Sequence, residues 1–396
     1  MSTRAMIRRA YLGVAVFWLN LTVLCVVVNA GALAYLALAG RASPAPAAPS
    51  VDPKSLRQFF PDLDDQELAE FVRESTHGFQ YEPFTQFRET PYVGRWVTID
   101  EAGFRHGRDQ GPWPPERASF NVFVFGGSTT FGYGVPDDST VPSYLALRLE
   151  RLGLPRPPRV YNFGRGGYYS SQERVLFEKL LVAGVVPDMA IFIDGLNDFF
   201  FKDGEPALTP WLTQAVAQHG APSAPAYETA LAALPITRAL GLTRAAATLG
   251  GYPAPPQTAA RAPERYDDPA VLQEVIRRWR VNQRLTQAAA REFGVQAVFV
   301  WQPVPTYKYH GPAGAGLGVG FHEYSRFGYP LMAEARRTEP LARNFLWCAD
   351  LQEGLSGPLY VDSVHYTPAM SSRVADCIVE GLKVAGLMGE GADGGS

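Results

Sequence analysis

Cysteine is scarce in this chain, with three residues in 396. There is no Cys-x-x-Cys pair and no cluster of histidine and cysteine at metal-ligand spacing, so neither a zinc module nor a dithiol redox centre is expected. Charge is also sparse, at 19% of residues, and no strongly basic stretch occurs. With a formal net charge of -3, the chain lacks the electrostatic footprint of a nucleic-acid binder. No internal repeat or collagen-like period is visible. A hydrophobic fraction of 46% is enough to bury a sizeable core.

One absence is local. From Ala10 to Gly40 there is no charged residue, while Arg4, Arg8 and Arg9 precede the run and no acid accompanies them. A helix needs ~20 mostly apolar residues to cross a bilayer, and this run exceeds that. A secretory signal has a shorter apolar core, of roughly 7–15 residues. Residues 1–40 are therefore read as a cytoplasmic tip and a signal anchor, with residues 11–39 in the lipid. The small residues Ala37 to Gly40 leave a cleavage site open. The one-sided arginines place the amino terminus in the cytoplasm of a single-pass inner-membrane protein and export the rest. In an exported domain Cys348 and Cys377 could form a disulfide. They are read here as two buried free thiols.

Residues 41–53 are rich in Pro and Ala and read as an extended linker. Residues 54–118 form an amino-terminal extension, with a short helix expected within Leu56 to Glu74 and a strand at Trp96 to Ile99. From residue 119 short apolar runs alternate with helical periodicity. Strands are expected at Asn121–Phe125, Arg159–Phe163, Asp188–Ile193, Val295–Trp301 and Phe345–Cys348. Ser139 is placed as a helix cap, and Ser170 and Glu173 as a capping box at the start of another helix. Asp268 with Pro269, and Thr367 with Pro368, open two more helices. This alternation implies a parallel sheet covered by helices on both faces. The domain is expected to span 119–388. Insertions occupy 202–262, with helical pieces near Trp211–Gln218 and Tyr227–Ala247, and 303–340. Residues 389–396 are expected to be a disordered tail.

Ligands of an open parallel sheet bind beyond the carboxyl ends of its strands. The polar signals of this sequence collect there. The first strand runs into Gly126-Gly127-Ser128, the second into Asn162-Phe-Gly-Arg-Gly-Gly167, and the third into Asp194-Gly-Leu-Asn197-Asp198. Asp362-Ser-Val-His365 follows the fifth. A serine hydroxyl becomes a useful nucleophile when an imidazole takes its proton. Ser128 and His365 are the candidates, with Asp362 placed to hold the second ring nitrogen. The backbone N–H groups of Ser128 and Gly167 and the Asn197 side-chain amide are candidate oxyanion donors. Arg165, Tyr168 and Gln302 are candidate substrate contacts. Asp194 and Asp198 read as satisfied loop carboxylates. His310 and His322 lie outside the strand-end blocks.

In this order and placement the blocks resemble the SGNH (GDSL-type) hydrolase family. Ser128 stands for the first-block serine, Gly167 for the second-block glycine and Asn197 for the third-block asparagine. Asp362 and His365 stand for the last block. The resemblance covers residues 119 to 386, and Trp96–Arg105 looks like an upstream element of exported bacterial members. It departs from the family where an aspartate often precedes the serine, here Gly127. It implies a three-layer α/β/α flavodoxin-like sandwich with a five-stranded parallel sheet, and ester hydrolysis without a metal or other cofactor. Membrane-anchored exported relatives act on acetylated polysaccharides, so the expected substrate is an acylated carbohydrate and the expected site periplasmic. An O-acyltransferase, a lipid esterase or thioesterase, and an inactive binding subunit of an envelope polysaccharide system are the alternatives. The oligomeric state is not legible.

Overall fold

The computed structural model describes residues 3–40, 56–75, 78–210, 212–213, 234, 236, 264–311, 320–339 and 341–388. The expected linker, both helical pieces of the first insertion apart from a few residues, and the expected tail lie outside the described residues. The chain divides into two units, residues 1–46 with 214–264, and residues 47–213 with 265–396. The first contains helix α1, Thr3–Gly40. Its stretch Tyr11–Tyr35 has a mean hydropathy of 2.3 and is long and apolar enough to span a membrane, a property that a signal sequence shares.

The second unit is built on five strands: β5 (Phe120–Gly126), β6 (Pro158–Gly164), β7 (Met189–Asp194), β8 (Gln296–Trp301) and β9 (Phe345–Trp347). They lie side by side as β6-β5-β7-β8-β9, and every adjacent pair is parallel. Counted within the sheet this is the order 2-1-3-4-5, the flavodoxin-like arrangement, with its switch point between β5 and β7.

Alternation along the strands explains the layers. Val122 and Val124 of β5 join Val141, Leu145 and Leu149 of α4 (Val141–Glu150) and Val374 and Ile378 of α9 (Pro368–Val384) in one core. Phe123 and Phe125 point the other way, into a core with Leu176 and Phe177 of α5 (Ser170–Val182) and Leu272, Val275 and Trp279 of α7 (Pro269–Glu292). Helix α8 (Glu323–Thr338) adds Tyr324, Tyr329 and Met332 to that second core. The register stacks Phe163 on Phe125, Phe125 on Phe192 and Phe192 on Phe299, with centroids 5.5, 4.9 and 5.5 Å apart. Such offset rings add to the area they bury.

Asp268 and Thr367 cap α7 and α9, each accepting a backbone N–H from the first turn. The other two expected caps differ. Thr140, not Ser139, caps α4. The N-cap of α5 is Tyr169, and no capping box forms there. Ser170 and Glu173 are buried instead, for a reason that appears at the site.

The amino-terminal extension holds helix α2 (Asp65–Ser75), a hairpin of β1 (Phe79–Glu82) and β2 (Gln86–Glu89), and short strands β3 (Tyr92–Val93) and β4 (Thr98–Ile99). Arg105 continues this segment onto the open edge of the sheet, donating its N–H to Asn162 O of β6 at 2.9 Å. That protects an edge which would otherwise expose unpaired backbone groups. Cys348 and Cys377 form a disulfide, with Cα atoms 6.1 Å apart. This corrects the reading of two free thiols. The residues lie 29 positions apart, and only the packing of α9 against β9 makes them neighbours.

Candidate active site

Strand β5 ends in the tight turn Gly126-Gly127, and Ser128 opens the short helix α3 (Ser128–Phe131). His365 precedes α9, on the far side of the chain. Its Nε2 lies 2.8 Å from Ser128 Oγ. Its Nδ1 lies 2.6 Å from Asp362 Oδ2. The other carboxylate oxygen of Asp362 accepts the N–H groups of Val364 and His365, both at 2.8 Å. Burial opposes the Asp362 carboxylate. The charge and hydrogen bonds of His365, with the Val364 N–H, outweigh it and hold its pKa well below the ordinary carboxylate range. Asp362 therefore fixes the imidazole by both ring and backbone, and leaves Nε2 facing the hydroxyl.

The expected oxyanion donors converge from three loops. The N–H groups of Ser128 and Gly167 donate to no protein acceptor among the described residues. Gly167 has φ +71°, as the third position of a type II turn requires, and the Tyr168 N–H closes that turn onto Arg165 O at 3.2 Å. Asn197 lies in α6 (Leu196–Phe200), and its amide donates one hydrogen to Tyr168 O at 2.7 Å. A Cβ built at position 127 would fall 2.3 Å from Asn197 Nδ2 and 3.0 Å from Tyr168 O. The glycine before the nucleophile turn thus has a steric cause: the asparagine amide occupies the space of a side chain.

The expected substrate contacts are placed behind this surface. Arg165 is 1% exposed, paired with Glu82 and donating to Tyr168 Oη at 3.0 Å. Tyr168 is fully buried and donates its hydroxyl to Phe87 O. Gln302 is also buried, and its Oε1 accepts from Thr129 Oγ1 at 2.7 Å and Tyr366 Oη at 2.9 Å. All three tie loops of the site to one another. The signal for the partner of Arg165 is 83 positions away, so no local pattern marks it.

Asp194, Asp198 and Glu173 are buried close to one another. Asp198 accepts from Ser170 Oγ at 2.5 Å and from the Gly195 N–H at 3.2 Å. Asp194 Oδ2 accepts from Trp279 Nε1 at 2.9 Å. Glu173 and Asp194 share a hydrogen bond, and burial, then the neighbouring carboxylates, raise both pKa values well above the usual range. Ser170 and Glu173 do not cap their helix because these carboxylates draw them inward. Oδ1 of Asp194 accepts no N–H or hydroxyl among the described residues, in keeping with a proton shared with Glu173.

Two contributors, Arg105 and Glu89, were not singled out from the sequence. Arg105, 1% exposed, donates to the carbonyls of Phe131 at 3.0 Å, Gly132 at 2.7 Å and Val135 at 2.8 Å, and pairs with Asp137 at 2.7 Å. It thereby clamps the end of α3. Glu89 accepts the Gly166 N–H at 2.6 Å. The His322 ring packs at a tilt against Phe200, centroids 4.5 Å apart; burial, then the nearby His365, lowers its pKa to about 3, so it is neutral at ordinary pH. His310 is exposed. Among the described residues no group of three or more His, Cys, Asp or Glu could hold a metal ion.

A hydroxyl facing an oriented imidazole, with free N–H groups alongside, suits attack on an acyl carbon. Residues 124–315 match the model of the GDSL-like lipase/acylhydrolase family. That span includes Ser128, Gly167 and Asn197, and ends before Asp362 and His365. No curated protein matches the chain in sequence. Among solved structures, the lipase Lip_vut3 from a goat rumen metagenome is 12% identical, with 69% of this chain and 99% of that one covered and a TM-score of 0.38. LAE5, an α/β hydrolase enzyme from the metagenome of Lake Arreo in Spain, is 14% identical, with 69% and 98% covered and a TM-score of 0.32. The psychrotrophic esterase EstA from Pseudoalteromonas sp. is 10% identical, with 67% and 98% covered and a TM-score of 0.31. Residues 124–315 carry a GDSL-like lipase/acylhydrolase domain, and the protein is an ester-hydrolysing enzyme.

Proposed function

We propose that this enzyme is a membrane-anchored serine esterase that removes acyl groups, chiefly O-acetyl groups, from an envelope or extracellular polysaccharide. The observation that carries its chemistry is the chain Ser128 Oγ, His365 Nε2, His365 Nδ1, Asp362 Oδ2, with links of 2.8 and 2.6 Å. Ser128 Oγ bonds to the ester carbonyl carbon while its proton passes to His365 Nε2. The oxyanion accepts hydrogen bonds from the Ser128 and Gly167 N–H groups and the free amide hydrogen of Asn197. When the tetrahedral species collapses, the C–O bond to the sugar breaks and His365 returns the proton to the departing oxygen. Water, activated by the same imidazole, then releases the acid from acyl-Ser128.

Two features support the location. Tyr11–Tyr35 is suited to anchor the chain in the inner membrane with the catalytic domain outside the cytoplasm. The Cys348–Cys377 disulfide fits an oxidising compartment. An enzyme tethered there meets envelope polymers, whose acetylated hydroxyls are esters of the right kind. The test is acetate release by the detergent-solubilised full chain from acetylated polysaccharides, with acyl thioesters in parallel. Release from the polymer that Ser128→Ala abolishes supports the reading. Turnover of thioesters alone overturns it.

A further inference from the structure

Glu89 is a buried carboxylate that the chemistry above does not use. It lies at the end of the β1–β2 hairpin, opposite Phe79, outside the span matched by the family model. Its Oε1 has two partners, the Gly166 N–H at 2.6 Å and the Tyr133 hydroxyl at 3.3 Å. Each leads to a different part of the site. Gly166 directly precedes Gly167. With the Gly166 N–H held by Glu89 and the Tyr168 N–H held by Arg165 O, the peptide that carries the Gly167 N–H is pinned on both sides. Tyr133 packs its ring 5.6 Å from that of His365. The fit is close, since a Cβ at Gly166 would lie 2.9 Å from Tyr133 Oη and 3.3 Å from Glu89 Oε1. A buried carboxyl group is costly unless hydrogen bonds compensate it, and burial raises the pKa of Glu89 despite the Gly166 N–H and the nearby Arg165, so its presence here asks for a role.

We propose that Glu89 is a positioning residue for ester hydrolysis. Its carboxylate aims the Gly167 N–H at the oxyanion and holds the Tyr133 ring against the base. The amino-terminal hairpin is then part of the working site. This rests on the esterase reading, and the test separates the two. The test compares Glu89→Gln, which keeps an acceptor for Gly166 and a partner for Tyr133, with Glu89→Met, which keeps the volume and removes both. Turnover of p-nitrophenyl acetate is measured per active site, titrated with a fluorophosphonate. Affinity for phenylboronic acid, which adds to the serine and places an oxygen among the oxyanion donors, is measured alongside and needs no turnover.

Loss of a direct oxyanion donor costs ~10²–10³ in rate, so a misaimed one is expected to cost about tenfold. Glu89→Met should lower kcat about tenfold at unchanged KM and weaken the boronate by the same factor, while Glu89→Gln stays near wild type. A merely structural glutamate would change the melting temperature and the fraction of active sites, but neither of these two readouts. Should the Met variant not fold, Glu89→Asp withdraws the carboxylate by one methylene and the same paired loss is expected. A folded Met or Asp variant that keeps both kcat and boronate affinity overturns the proposal. A wild type that binds boronate normally but hydrolyses no ester counts against the esterase reading alone.

Discussion

Asp362 holds His365 twice, through the ring nitrogen at 2.6 Å and through the backbone N–H at 2.8 Å. Its carboxylate therefore sets the ring's tautomer as well as its place. Asp362→Asn retains the shape but offers the ring a donor or a neutral acceptor. In this arrangement the expected loss of kcat is about 10³–10⁴, with KM little changed, measured on p-nitrophenyl acetate. The pH dependence has a definite sign. The folded pKa of Asp362 lies below its unfolded value of ~3.9, so its contribution to stability is full above that value and is lost as pH falls through the folded pKa. Acid unfolding of wild type should carry that contribution and Asp362→Asn should lack it, as urea midpoints taken across the acid range would show.

Gly127 is a departure from the family that sterics explain. Restoring a side chain should harm the enzyme, because a Cβ would displace the Asn197 amide 2.3 Å away. Gly127→Ala and Gly127→Asp are both expected to lower kcat by about 10²–10³, matching Asn197→Ala. Combining Gly127→Ala with Asn197→Ala should add little further loss, since both act on one donor. Kinetics of the double-mutant cycle check this. Full additivity would show that the glycine serves some other purpose.

The pair Glu173–Asp194 makes a prediction of opposite sign to Asp362. Both folded pKa values are raised by burial and by neighbouring carboxylates. The stability they confer is full below their unfolded values of ~4.3 and ~3.9 and is lost as pH rises toward the folded values. Glu173→Gln keeps a donor for Asp194 and removes one of the two titrations. Its urea midpoint should fall less steeply with rising pH than that of wild type, and should equal or exceed wild type at about pH 8. An identical pH profile would mean that the two carboxyl groups share no proton.

The disulfide closes the segment that carries Asp362 and His365, at a sequence separation of 29. A chain-entropy estimate for a loop of this size is about 3–4 kcal/mol. Replacing both cysteines by serine should lower the unfolding free energy by up to that amount, read from urea denaturation. The site geometry in the folded fraction should persist, because Asp362 and His365 are also held by their own backbone bonds. Loss of activity without loss of stability would contradict this.

Much of the fold was legible because its signals are local. Short apolar runs marked all five strands, and Pro after Asp268 or Thr367 marked two helix starts. The residues brought together at the strand ends were legible for the same reason, since the parallel sheet collects its carboxyl ends on one side. What escaped depends on contacts remote in sequence. Ser170 and Glu173 look like a cap in isolation, and only Asp194 and Asp198, arriving from another strand, turn them inward. Arg165 looks like a substrate contact until Glu82 is brought to it. Cys348 and Cys377 look free until α9 packs on β9. Glu89 has no local signature at all: it alternates with Phe87 on one face of a hairpin whose partner loop lies more than seventy positions on.

The central claim is that Ser128 is the nucleophile that His365 activates. Reaction of the solubilised full chain with a fluorophosphonate, followed by peptide mass mapping, tests it most directly. The expected result is one adduct per chain on the peptide containing Ser128, abolished by Ser128→Ala and slowed strongly by His365→Ala. An adduct on another residue, or undiminished labelling of Ser128→Ala, would contradict it.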